Sequence, residues 1–159
     1  MTYEIEGRKV RIEGVNVIPA LKNFSGNRFG SAGNQHFFIT IDDPELLTAL
    51  MNLGYNITEY TKTDDEGNEE VLYELKIRLR FDKFPPEVWT LSGDFSGAAT
   101  KLDGDTIASL DSQKFLNCDI SFTPYNWSNN GKTGTTAYLR KMIVVVPKED
   151  FADKYPNLM

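Results

Sequence analysis

The run Leu116–Val146, LNCDISFTPYNWSNNGKTGTTAYLRKMIVVV, decides how the chain is read. Cys118, Ile120 and Phe122 alternate with Asn117, Asp119, Ser121 and Thr123, the period of two that a strand with one buried face requires. Pro124 is expected to end that strand. A turn-rich segment from Tyr125 to Gly134 follows, and a second strand returns through Ala137, Tyr138 and Leu139 to Val146, so the whole reads as a hairpin with an unusually long connection. Tyr125 and Trp127 stand in that polar connection, where few neighbours are available to bury them. Lys132, Arg140 and Lys141 face a single acid, Asp119, within the run, whereas the chain as a whole carries −6. A locally basic, aromatic-bearing hairpin on an acidic protein points to a groove for a polyanion whose bases can stack. The competing reading is that Tyr125, Trp127 and Tyr138 close one end of a β core while the cations solubilise its rim.

Working outward, 159 residues with 40% hydrophobic content suit one folded domain, expected over 1–146, with residues 147–159 as a fraying tail. The single cysteine, Cys118, has no intrachain disulfide partner and lies on the apolar parity of its strand. Charges occupy the N-terminal MTYEIEGRKVRIEG, where a secretory signal needs an apolar run, and no stretch reaches membrane-spanning length. An intracellular protein is expected. The sequons at Asn23, Asn56 and Asn126 then have no meaning as glycosylation sites.

Further strands are expected at Arg8–Val17, with a bulge at Gly14, at Gln35–Ile41, at Tyr55–Tyr60, at Val71–Phe81 and at Val88–Leu91. Asp42 or Asp43 as cap, Pro44 at the first helical position and Gly54 as terminator predict one principal helix over about 43–53, with Leu46, Leu47, Leu50, Met51 and Leu53 as its apolar side. Asp105 is expected to cap one or two helical turns carrying Ile107 and Leu110. In Val71–Phe81 the odd positions Leu75, Ile77, Leu79 and Phe81 form one face. Lys76, Arg78 and Arg80 follow one another on the other, at roughly 6 to 7 Å spacing. Such a rail suits phosphates, unless acids on neighbouring strands neutralise it. The glycine-rich loop NFSGNRFGSAGN offers Phe24, Arg28 and Phe29 as a second stacking cluster, unless the rings fold back over the end of the core.

Catalytic chemistry is poorly represented. His36, the only histidine, lies in an apolar strand far in sequence from Cys118, so neither a zinc spacing nor a cysteine–histidine dyad is signalled. Gly131–Gly134, GKTG, is no phosphate loop, because position 126 is Asn and the segment joins strand to strand. The acidic turn TKTDDEGNEE lacks the alternate ligand spacing of a calcium loop and reads as a solvated hairpin tip. No cofactor and no metal site are expected. Asp103 and Asp105 leave a magnesium-dependent nuclease as one rival reading. A β-sandwich phage structural or carbohydrate-binding module is the other.

The order of NFSGNRFGSAGNQHFFITIDDPELL, LMNLGYN, FPPEVW, CDISFTPYNW and GKTGTTAYL resembles that of single-stranded-DNA-binding proteins of tailed bacteriophages, over about Asn23 to Val145. The resemblance implies a mainly β, oligonucleotide-binding (OB) fold: a Greek-key β-barrel whose groove holds single strands with little sequence preference. It implies a binding protein rather than an enzyme, at work in phage replication or recombination in the host cytoplasm. Single-stranded DNA would be the partner, with phage or host replication and recombination proteins as further ones. On this reading Phe24, Phe29, Tyr125 and Trp127 stack on bases, and Lys76, Arg78, Arg80, Lys132 and Arg140 neutralise phosphates. Arg28 and Tyr138 are further candidate nucleic-acid-binding residues.

Overall fold

A computed structural model of the chain describes residues 1–27, 34–93 and 99–147. Its elements are β1 (Thr2–Glu6), β2 (Lys9–Glu13), β3 (Asn16–Val17), β4 (His36–Ile41), α1 (Pro44–Asn52), β5 (Ile57–Thr63), β6 (Glu69–Arg78), β7 (Glu87–Ser92), β8 (Thr100–Leu102), β9 (Asn117–Asn129) and β10 (Lys132–Val146). The strands pair in the order β1-β2-β9-β10-β6-β4-β3, with β5 on β6 and with β7, which carries β8, on β10.

The two ends of this order meet through one kinked strand. Gly14, at φ +74°, lets its own N–H and that of Val15 both donate to the Cys118 carbonyl, at 3.1 and 2.9 Å. Two residues facing one is a bulge, and it turns the chain so that β2 pairs with β9 while β3 pairs with β4. The sheet is thereby carried round on itself through β4, β6, β10 and β9, with β6 and β10 in parallel contact at Ala137–Tyr138. This is the mainly β, OB-like architecture expected. Its interior holds Val10, Ile12, Phe37, Ile39, Leu75, Ile77, Ile120 and Phe122, with Leu139 and Met142 both inward because the register shifts between Leu139 and Lys141.

Helix α1 follows β4 and starts where the sequence places it. The Asp43 carboxylate accepts the N–H groups of Glu45 (2.9 Å) and Leu46 (3.3 Å), Pro44 opens the first turn, and Leu46 and Leu50 are buried. A 3-10 turn at Ile107–Asp111 buries Ile107 and Leu110 between β8 and β9.

Three expectations need correction. Pro124 does not end its strand: β9 runs on to Asn129 and pairs with β10 as far as Lys132, so the long connection is a projecting ribbon closed by Asn130 and Gly131 alone. Both have positive φ, +51° and +78°, as a two-residue hairpin turn demands. Proline is tolerated because β2 leaves β9 at Phe122, so one edge of the strand is open beyond it. Second, β6 stops at Arg78, and Arg80 belongs to a tight turn bridged to Phe84. Third, Phe24 is not a loop aromatic offered to a ligand. It is fully buried, stacked on Phe37 at 5.2 Å and tilted against Phe115 at 6.0 Å, and its N–H donates to the Asp111 carboxylate at 2.6 Å. β1 was not expected either, although Tyr3 and Ile5 pack against the core.

Removal of a fully buried ring should be costly. Phe24→Ala is expected to lower unfolding stability by about 3 to 5 kcal/mol, measured by urea denaturation. A loss below about 1 kcal/mol would contradict the core assignment of this ring.

Candidate nucleic-acid interface

The β9–β10 ribbon has two faces set by pairing register. Thr123, Tyr125 and Trp127 on β9 stand opposite Tyr138, Thr136 and Gly134 on β10, so all six belong to the outer face. Trp127 and Gly134 fit each other closely. A Cβ placed on Gly134 would come within 2.6 Å of the indole Cε2, so the indole lies over the bare glycine backbone. Trp127 nevertheless remains 39% exposed and Tyr125 48%.

Tyr138 is different, at 7% exposure. Its ring packs at 5.3 Å from Phe84 and 5.9 Å from Tyr125, while Phe84 also touches Tyr125 at 6.0 Å. Tyr138 and Phe84 therefore support Tyr125 from below, and the free ring faces belong to Tyr125 and Trp127. Phe84 was missed because it lies in the chain-breaking DKFPP segment, where periodicity carries no information.

The parallel contact of β6 with β10 brings cations to the same face. Arg78 stands beside Tyr138, and Lys76 lies two residues earlier on the same side of β6. Burial, and then the positive charge of Arg78, lower the Lys76 pKa, as expected of two cations held close together. The Arg78 Nε is buried and has no hydrogen-bond partner among the described residues. Arg80, by contrast, is committed. It forms a two-pronged pair with Asp82 at 2.9 and 3.0 Å, which holds the Asp82 carboxyl down to about 2. The expected rail of three cations is thus a rail of two.

Between these walls runs a groove of about 1250 Å³, lined among others by Lys76, Arg78, Tyr125, Trp127 and Tyr138. Lys132 is exposed near the ribbon tip. Arg140 is exposed at the register shift between Leu139 and Lys141, outside the groove lining. Arg28 and Phe29 lie outside the described residues. The other side of the ribbon is braced: Thr135 Oγ1 donates to Asn126 Oδ1 at 2.8 Å, and Arg8 reaches the same oxygen at 3.4 Å. This latch joins residues far apart in the chain and left no sequence signal. Among the described residues, no three His, Cys, Asp or Glu side chains group to hold a metal ion. No described helix is long and apolar enough to cross a membrane.

The indole–glycine fit can be tested directly. In a Trp89→Phe background, so that Trp127 alone reports, Gly134→Ala is expected to displace the indole and red-shift its fluorescence, with stability changed by about 1 kcal/mol or less. Unchanged emission would show that the ring does not rest on residue 134.

A family model described as "Putative phage ssDNA-binding domain" matches residues 1–159. Two solved structures share the fold. The single-stranded DNA-binding protein from bacteriophage Enc34 in complex with ssDNA aligns at 13% identity and TM-score 0.51, over 92% of this chain and 90% of that one. A second structure of the single-stranded DNA-binding protein from bacteriophage Enc34 aligns at 11% identity and TM-score 0.52, over 94% of this chain and 87% of that one. Among curated proteins, none matches the sequence.

Proposed function

The chain belongs to the phage ssDNA-binding family, and from that premise we propose that the groove beneath the β9–β10 ribbon is where it holds single-stranded DNA without sequence preference. The observation that carries this reading is the placement of Tyr125 and Trp127, both exposed, on the same sheet face as Lys76 and Arg78. An open ring offers a π surface that every base can use, at roughly 1 to 3 kcal/mol per base, so sequence tolerance follows from the chemistry of the platform. Arg78 lines the groove and has no carboxylate partner among the described residues, so its charge is not already spent inside the fold and can serve a phosphate.

With −6 overall, long-range electrostatics opposes the approach of DNA, so affinity has to come from the local cations and the rings. Lys76, Arg78, Lys132 and Arg140 would engage phosphates, and Tyr125 and Trp127 would engage bases. The chain would act as a single domain over 1–146, a binder rather than a catalyst. It would protect or organise single strands during phage replication or recombination in the cytoplasm of the host cell, alongside phage or host replication and recombination proteins.

Titration of a fluorescent oligo-dT tests the mechanism. If about three or four phosphates are engaged, log affinity should fall against log salt with a slope of roughly −2 to −3. Trp127→Ala should weaken binding by roughly five- to a hundredfold while leaving the unfolding transition in place. A slope near zero, or an unaltered affinity in Trp127→Ala, would remove the groove as the DNA site.

A further inference from the structure

We infer that the single-strand site continues past the groove onto β4, where Phe38 is a third base-stacking platform; this rests on the groove being the DNA site. Register makes the case. On β4, Phe38 stands opposite Lys76 and His36 opposite Arg78, so all four share the outer face of the sheet. Directly opposed residues have Cβ atoms about 5 Å apart, which puts the Phe38 ring next to the ammonium-bearing side chain that borders the groove. β4 lies on the far side of β6 from the ribbon, roughly 14 Å across the sheet from β9 at normal strand spacing. A strand that stacks on Trp127 and Tyr125 and crosses Lys76 and Arg78 arrives at Phe38 next.

Phe38 is half-buried, yet it belongs neither to the buried core nor to the side chains packed against it. Its aromatic contact among the described residues is a perpendicular one with His36 at 5.7 Å. Its neighbour Phe37, one residue away and on the other parity, is fully buried.

Charge favours this direction over the alternative. Tyr60 on β5 is more open, at 40% exposure, and shares the same sheet face further along β6, but it stands among acids. Burial and then the nearby negative charges of Glu74 and Glu70 raise its pKa. A phosphate chain running that way would meet two carboxylates. Running onto β4, it stays beside Lys76 and Arg78.

Two measurements test the extension. Phe38→Leu keeps an apolar side chain but removes the π surface, and it is expected to weaken oligo-dT binding roughly five- to a hundredfold, whereas Phe38→Tyr should bind within about twofold of the parent. Neither should alter the salt slope, because no phosphate contact is lost, while Lys76→Ala should reduce its magnitude by about 0.7. On the unaltered protein, photo-crosslinking to a 5-iodouracil oligonucleotide should yield an adduct at Phe38. Parent-like affinity of Phe38→Leu, or crosslinks at Tyr125 or Trp127 with none at Phe38, would overturn the extension while the groove stands. Were Trp127→Ala also to bind like the parent, the groove itself would fall, and the extension with it.

Discussion

The ladder between β9 and β10 is the constraint on which both fold and interface depend. Over Asn117–Phe122 and Leu139–Val145 it is part of the closed core, where Cys118, Ile120 and Phe122 face Met142 and Val144 inside. Over Tyr125–Asn129 and Lys132–Thr136 the same ladder continues as a ribbon beyond the core. An isolated two-stranded ribbon is barely stable in water. Here it inherits register from the buried half, is closed by a turn whose two residues accept positive φ, and is braced by the Asn126–Thr135–Arg8 contacts. Rigidity on one side of Pro124 thus becomes a fixed angle for the rings on the other.

Electrostatics on the sheet face turns on which cations are already satisfied. Arg80 and Arg78 are two residues apart and chemically identical, but the chain leaves the strand between them. That exit places Arg80 beside Asp82 in a turn, where a planar guanidinium meets a carboxylate in two-pronged fashion. Arg78 stays in the strand, hemmed by Tyr138 and His36, with its Nε buried and unbonded. A counterion inside the fold would have relieved Arg78 and left the groove neutral. Arg78 instead lines the groove with no carboxylate paired to it among the described residues.

Much of this was legible in the sequence, because alternation and capping are local. The apolar parities of β6 and β9, the Asp43-Pro44 helix start and the Gly14 bulge follow from residues within a few positions of one another. What failed was non-local. Pro124 reads as a strand terminator unless one knows that β2 has already left that edge. Arg80 continues a perfect alternation on paper, and only the folded turn toward Phe84 shows that the strand has ended. Phe24 sits in a glycine-rich loop, but Asp111, 87 residues later, anchors its backbone and draws the ring inward onto Phe37. Phe84 and Arg8 carried no periodic signal at all.

The fate of the aromatic residues shows why composition alone could not locate an interface. Phe24, Phe37 and Phe122 are fully buried, Tyr138 nearly so, and Tyr125 and Trp127 stand open. Hydrophobicity does not sort them, since Trp127 is the largest and among the most exposed. Opposing residues do. Phe122 meets Leu139 over the core, whereas Trp127 meets Gly134, which supplies no side chain to cover it and no second layer behind it. A glycine opposite a tryptophan on a ribbon that has left the core supports the ring without covering it, and the indole stays 39% exposed. The exposure is a consequence of that pairing, and a planar ligand is the kind of molecule that can cover the ring without disturbing the ladder underneath.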